Sequence, residues 1–316
     1  MLTVSEAAQL LRGFDRVLIL THVRPDGDTV GCAAALCAGL RALGKTAYLL
    51  PNPGLTDTTA PYFAPYRAPE GFEPDRVVST DIAALSLLPE NAGAYGGRID
   101  LAVDHHPSFE RFGRANIVRP EAAACGELVY DILRELGPLT PEMALPLYVA
   151  VATDTGCFSY ANTTPRTHAV AAALMETGID YHRVNKVFFR TKTRKRMQLE
   201  GAMLAGCEFC DRDRVAILSV PLSLMDRFQA TESDAEDLSA LGGQIQGVDC
   251  AVTMRELRPG VWKISLRTGP RVNATAACRL LGGGGHAAAA GCTVEAPWEE
   301  AKRRILGAIE SVKDEA

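Results

Sequence analysis

No apolar run in the 316 residues approaches the roughly 18 that a membrane-crossing helix needs. The run at 32–40 stops at Arg41, and the run at 145–152 stops at Thr153 and Asp154. A surplus of positive charge is also missing. The 33 Lys and Arg stand against 38 Asp and Glu, a formal net charge of -5, whereas a protein built to coat long nucleic acid carries a basic face and a high pI. A local basic groove for a short anionic ligand stays open. Cysteine offers no disulfide framework, because the 9 thiols are odd in number and scattered. Residues 1–12 lack the basic region and apolar core of a secretion signal, so reduced thiols in a cytoplasmic protein are expected. There is no internal repeat, and low complexity is confined to 282–285 and 287–290. With 47% hydrophobic and 22% charged residues, global disorder and a collagen-like fibre are excluded. The length suits two domains of roughly 100–200 residues each.

What is present begins with an alternation of strand and helix patterns. Residues 16–20 read as a buried strand, followed by a loop with Pro25 and Gly27 and a small-residue helix over 29–43 that ends at Gly44. Further strands are expected at 45–50, 76–79 and 99–103, with a short one at 116–118. Helices are expected at 125–136, 141–152, 166–176 and 181–189. This order predicts an α/β fold, a parallel sheet with helices on both faces. Five basic residues then fall in 190–196 (Arg190, Lys192, Arg194, Lys195, Arg196), and 190–206 reads as a linker. It separates a first domain, 1–189, from a smaller α/β domain, 207–316, with a mixed sheet. The second domain shows strands at 215–220, 249–255, 261–267 and 292–294. Its helices are expected between the first two strands, at 274–281, and from Trp298 onward, with a glycine-rich loop after 281.

The acids and histidines fall where strands end. His22, Asp26 and Asp28 follow the first strand, Asp81 follows the strand at 76–79, and Asp104, His105 and His106 follow that at 99–103. Asp154 comes just after the apolar helix at 141–152. Open parallel sheets bind ligands outside the carboxyl ends of their strands. Carboxylates mixed with imidazole suit a divalent cation such as Mn²⁺, with Fe²⁺, Co²⁺, Zn²⁺ or Mg²⁺ as competitors, and the acids outnumber what a structural zinc uses. Gathered without cations, five carboxylates would repel one another. Two cations about 3.5–4 Å apart remove that repulsion and support in-line displacement at phosphorus. Each residue alone has a plainer reading, in which Asp28, for example, merely caps the helix that follows it. Independent caps do not account for the whole set.

His22-Val-Arg-Pro-Asp26-Gly-Asp28-Thr-Val-Gly31, Asp81, Asp104-His105-His106 and Ala152-Thr-Asp154-Thr-Gly156 resemble, in order, the four motifs of the DHH phosphoesterase family. Ser265-Leu-Arg267, Gly282-Gly-Gly-Gly285-His286 and Ala289-Ala-Gly291 resemble that family's associated C-terminal domain. The resemblance implies His22, Asp26 and Asp81 on one metal, and Asp28, Asp81, His105 and Asp154 on a second, with Asp81 bridging. It implies His106 beside the scissile phosphate and Asp104 orienting the neighbouring histidine. It further implies Arg267, Gly283, Gly284, Gly285 and His286 as a substrate-binding set facing the metals across a cleft between the domains, with Arg255 a weaker candidate. Cys32 stands where relatives often have Ser, so a hydrogen bond is expected to be lost there.

The glycine run is not a P-loop, since no Lys-Ser/Thr follows it; without the resemblance it reads as a tight turn. The compact size, with no room for a further nucleic-acid domain and no membrane segment, resembles the NrnA-like nanoRNase and pAp phosphatase branch. That implies hydrolysis of short oligoribonucleotides and of 3′-phosphoadenosine 5′-phosphate (pAp), with homodimers common. Hydrolysis of cyclic di-AMP or pApA is the alternative, and a nucleotide-binding regulator without catalysis the third reading. Cys207 and Cys210 have half-zinc-site spacing but no second pair. His168 and His182 read as structural or surface residues, Phe188 and Phe189 as core, and the basic run at 190–196 as a solvated face.

Overall fold

A computed structural model describes residues 1–235 and 238–313 of the chain. It divides into two compact units, Met1–Thr191 and Lys192–Ala316. The first contains α1 (Val4–Arg12), β1 (Val17–Leu20), α2 (Gly27–Ala42), β2 (Ala47–Leu49), α3 (Ala60–Phe63), β3 (Arg76–Thr80), β4 (Leu101–Asp104) and β5 (Ala115–Val118). It continues with α4 (Cys125–Leu136), α5 (Pro141–Asp154), α6 (Pro165–Met175) and α7 (Tyr181–Asn185), which runs on as a π-helical turn, Lys186–Arg190. The five strands lie in the order β2-β1-β3-β4-β5 and every neighbouring pair is parallel. The winding direction reverses at β1, so the carboxyl ends of β1 and β3 flank the crevice where such sheets bind ligands.

The strands are buried on both sides, which is why they read as continuous apolar runs rather than alternating ones. Val17, Ile19, Val78, Leu101 and Val103 pack with Leu36, Leu40, Val129, Leu147 and Val151 from α2, α4 and α5. Leu18, Leu20, Val77 and Ala102 face Ile82, Ala92 and Ile99 beside the short 3-10 segments Leu85–Leu87 and Glu90–Arg98. The small residues of α2 have a packing cause. A Cβ on Gly31 would sit 2.9 Å from the Ala150 backbone nitrogen, and one on Gly27 would meet the Thr153 side chain. The two helices therefore approach closely along α2.

The second unit contains α8 (Arg194–Ala205), β6 (Glu208–Cys210), β7 (Val215–Val220), α9 (Leu222–Phe228), α10 (Ser239–Gly242), β8 (Cys250–Arg258), β9 (Val261–Thr268), α11 (Ala274–Arg279), β10 (Gly284–His286), β11 (Ala289–Glu295) and α12 (Trp298–Glu310). Its six strands are ordered β10-β11-β9-β8-β7-β6, with β7 and β8 parallel and the other neighbours antiparallel. Trp262, Ile264 and Leu266 pack with Ala277 and Ile305 on one face. Ala216 and Leu218 pack with Leu199 and Met203 on the other.

Three features differ from the sequence expectation. The stretch 190–206 is mostly helix, not linker: α8 buries Leu199 and Met203 in the second unit. The glycine-rich loop contains a short edge strand, β10, paired to β11. Helix α1 is an addition to the expected elements, although its capping box is legible: Thr3 Oγ1 accepts from Glu6 N–H, and Glu6 accepts from Thr3 N–H.

Candidate metal centre

Asp26 and Asp28 divide two tasks. Asp26 is the N-cap of α2, its Oδ1 accepting from the N–H groups of Asp28 (3.0 Å) and Thr29 (3.1 Å). Asp28, in the first turn of α2 and fully buried, caps a different helix. Its Oδ2 accepts from Cys125 N–H at 2.7 Å and its Oδ1 from Gly126 N–H at 3.0 Å, the first amides of α4. α4 has no side-chain cap of its own at Ala124, so Asp28 satisfies donors that would otherwise be orphaned. Cys32 Sγ lies 3.2 Å from Asp28 Oδ1 and donates to it. The hydrogen bond expected to be lost at this cysteine is therefore present.

Asp81 sits directly after β3 with φ of 58°, a left-handed conformation that Asp tolerates better than most residues. Its N–H donates to Val103 O at 2.8 Å, which turns the side chain out of the strand line. The carboxylate lies between the two donor groups. Oδ2 is 4.0 Å from His22 Nε2, and Oδ1 is 3.6 Å from both His105 Nε2 and His106 Nδ1. Asp26 Oδ1 is 3.5 Å from His22 Nε2. On the other side, His105 Nε2 lies 3.8 Å from Asp28 and 3.4 Å from Asp154. Three donor triads result: His22/Asp26/Asp81, Asp28/His105/Asp154 and Asp81/His105/His106, each with its ligand atoms within 4.8 Å of one another.

Supporting groups orient these side chains. His105 Nδ1 faces Ala122 O at 3.1 Å, which favours the Nδ1–H tautomer and frees Nε2. Asp104, fully buried, serves His106 instead: its Oδ1 accepts from the His106 N–H (2.6 Å) and from its Nδ1 (2.8 Å). The Asn52 amide donates to His22 O, and that of Asn162 donates to Asp154 O and Ala123 O. Sequence reasoning misses these supports. The carbonyl of Ala122 and the amides of Cys125 and Gly126 leave no mark in side-chain identity, and Asn52 and Asn162 lie outside every motif.

The electrostatics call for a cation. Burial pushes the Asp28 carboxyl well above the ordinary range, and the charges of Asp154 and Asp26 push it further. Asp81 is raised the same way by burial and by Asp28, and burial moves Asp154 up to about 6. His106 is raised chiefly by its hydrogen bond to Asp104. Among the described residues, Asp81 Oδ1 and Asp104 Oδ2 are buried without a hydrogen-bond partner. Buried, mutually repelling carboxylates with an unused oxygen fit divalent metal ions.

In the second unit the strand register sets His286, Ala289, Arg267 and Ala251 in one row across β10, β11, β9 and β8. His286 and Arg267 thus share a face of the sheet. Arg255 lies four positions along β8 from that row, and its Nη1 is engaged by Glu232 at 2.7 Å. The glycines differ among themselves. A Cβ on Gly283 would collide with Gly291 O, and one on Gly285 would come within 2.6 Å of Ala289 O, so packing onto β11 requires both. Gly284 is exposed and a Cβ there would meet nothing within 4 Å.

A switch-point cluster of carboxylates and imidazoles on a parallel sheet, followed by a mixed-sheet unit, defines a metal-dependent phosphoesterase. Residues 16–153 match the DHH family, N-terminal domain, and residues 215–315 match the DHHA1 domain. The chain belongs to the DHH family. It is 30% identical to the bifunctional oligoribonuclease and PAP phosphatase NrnA of Thermus thermophilus, over 97% of this chain and 92% of that one. It is 25% identical to the protein of the same name from Bacillus subtilis, over 98% of each. The crystal structure of an exopolyphosphatase-related protein from Bacteroides fragilis shares the fold, with a TM-score of 0.86 at 24% identity, covering 98% of this chain and 95% of that one. Among the described residues no helix is long and apolar enough to cross a membrane.

Proposed function

We propose that the protein hydrolyses short oligoribonucleotides and pAp to mononucleotides and AMP, using two divalent cations, with Mn²⁺ the first choice. His22, Asp26 and Asp81 would hold one ion, and Asp28, Asp81, His105 and Asp154 the other. When bound, the ions supply a Lewis-acidic centre that activates water and stabilises the oxygens of an in-line displacement.

The chain's own groups do the rest. His106 is held at Nδ1 by Asp104, which favours the imidazolium and leaves Nε2–H to donate to a phosphate oxygen. Arg267 offers charge and hydrogen bonds to a terminal phosphate and His286 a ring hydrogen bond, and Gly284 leaves its backbone open to close approach. The observation that carries the reading is Asp81, whose two oxygens face different histidines and whose Oδ1 has no protein hydrogen bond. The NrnA names of the two relatives support the substrate class.

The test is product release from pAp, a short oligoribonucleotide, pApA and cyclic di-AMP, with Mn²⁺ and with EDTA. Metal-dependent turnover of the first two, ahead of the others, is expected. Preference for the cyclic dinucleotide or pApA would replace the substrate assignment, and no turnover of any of them by folded, Mn²⁺-loaded protein would overturn it.

A further inference from the structure

We propose that Arg183, Lys186 and Arg190, together with Tyr160, form a track for the backbone of a single-stranded oligonucleotide leading away from the candidate metal centre. This rests on the function proposed above and specifies how substrates longer than one nucleotide are held.

Basic residues of the region 183–196 fall into two kinds. Lys192 and Arg196 are engaged by Glu200, and Lys195 donates to Gln229 O. Arg183, Lys186 and Arg190 are exposed, and among the described residues none of them makes an ion pair. The passage from α7 into the π-helical turn sends Val184, Phe188 and Phe189 toward the core. The three cations are left exposed. π-Helical turns are frequent at functional sites.

A strained turn connects this face to the metal centre. Directly after Asp154, Gly156, Cys157 and Phe158 all have left-handed backbones, with φ of 54°, 55° and 66°. Such strain persists only where the surroundings hold it, and they do. The Phe158 ring stacks on His168 at 5.3 Å and lies 6.1 Å from Tyr148, whose hydroxyl bonds Asn185 of α7. Arg190 is close enough to act electrostatically on the Cys157 thiol. Tyr160 lies over Gly156, where any Cβ would overlap its ring, yet the residue is 61% exposed. An exposed ring, six residues from Asp154, and three cations without an ion pair among the described residues match how single strands are held: bases on aromatic faces, phosphates on basic groups. The proposal places the row beyond the reach of a single nucleotide such as pAp.

The test measures binding of a labelled single-stranded RNA of about five residues to the full chain by fluorescence anisotropy with EDTA present. Turnover of pAp with Mn²⁺ is followed in parallel. In the variant combining Arg183→Gln, Lys186→Gln and Arg190→Gln, Kd is expected to rise at least about tenfold. The dependence of log K on log salt should flatten by about 2, from ~0.7 per phosphate contact. Turnover of pAp should not change. Tyr160→Ala should weaken RNA binding and Tyr160→Phe should restore it. RNA binding unchanged in the triple variant, no RNA binding by the unsubstituted chain, or a proportional loss of pAp turnover would each overturn the track. Failure of the unsubstituted chain to hydrolyse either substrate would instead overturn the proposed function, while the anisotropy still decides the track.

Discussion

Gly27 and Thr153 are packed so closely that a Cβ on the glycine would lie 2.8 Å from Thr153 Cβ. This contact sets the first turn of α2, with Asp26 and Asp28, against the last turn of α5, with Asp154. It is how a carboxylate from a helix end joins those from strand ends around His105. Gly27→Ala should therefore force the helices apart. Overpacking costs about 1–3 kcal/mol, and displacement of a site by ~1 Å costs up to about a hundredfold in rate. Weakened Mn²⁺ binding by calorimetry and at least a tenfold loss of activity are expected in a protein whose circular dichroism is unchanged. Normal Mn²⁺ affinity would show that the contact does not position Asp154.

Asp81→Asn keeps the shape and tolerates the left-handed backbone at φ 58°, but removes the charge shared by two donor triads. Losing an outer-sphere partner costs about 10–100-fold in metal affinity or activity, so losing the carboxylate proposed to be shared by two ions should cost more than a hundredfold. The metal-free variant should melt no lower than the metal-free parent, because the buried carboxyl is already forced upward by burial and by Asp28. A lower melting temperature would assign Asp81 a structural role.

The acid cluster also dictates how stability without metal depends on pH. Burial raises Asp154 from 3.8 to about 6, and Asp28 and Asp81 shift the same way. A carboxyl with a raised folded-state pKa keeps its proton in the fold after the unfolded chain has lost it. Stability then falls as pH rises through that window and stays low above it. With EDTA, the melting temperature should drop between pH 4 and 6. Mn²⁺ should restore it increasingly toward neutrality, by about 2.7 kcal/mol at a hundred times Kd. Differential scanning calorimetry across that range decides the matter, and an EDTA profile that rises with pH would contradict an origin in these buried carboxyls.

The glycine run offers a paired comparison. Gly283→Ala should lower the melting temperature, since its Cβ would strike Gly291 O and Cys292. Gly284→Ala should leave the melting temperature alone and raise KM for pAp, since only a bound ligand would meet the new methyl group. An unchanged KM in Gly284→Ala would leave the run with a packing role only.

Much of this protein is legible along the chain. The apolar runs of β1, β3 and β4, each closed by an acid or histidine, mark a buried parallel sheet with polar groups at one edge, because hydrophobic burial and strand ends are properties of local sequence. The boundaries of α4 and β7 can be read directly, whereas α8 hides behind its charge: Arg194, Lys195 and Arg196 suggest a linker and mask the apolar stripe of Leu199 and Met203. The identities of the metal-capable residues, the acidic balance and the glycine run were determined by sequence alone. The tertiary structure decided their partners: that Asp28 caps α4 rather than its own helix, that Asp104 serves His106 while Ala122 O orients His105, that Arg255 is engaged by Glu232, and that packing requires Gly283 and Gly285 but not Gly284. The reason is physical. Residue type sets which charges and donors exist, but backbone amides, carbonyls and close helix contacts act through space between distant segments, 98 positions apart for Asp28 and Gly126 and 126 (153 less 27) for Gly27 and Thr153, and no local pattern records which of them will meet.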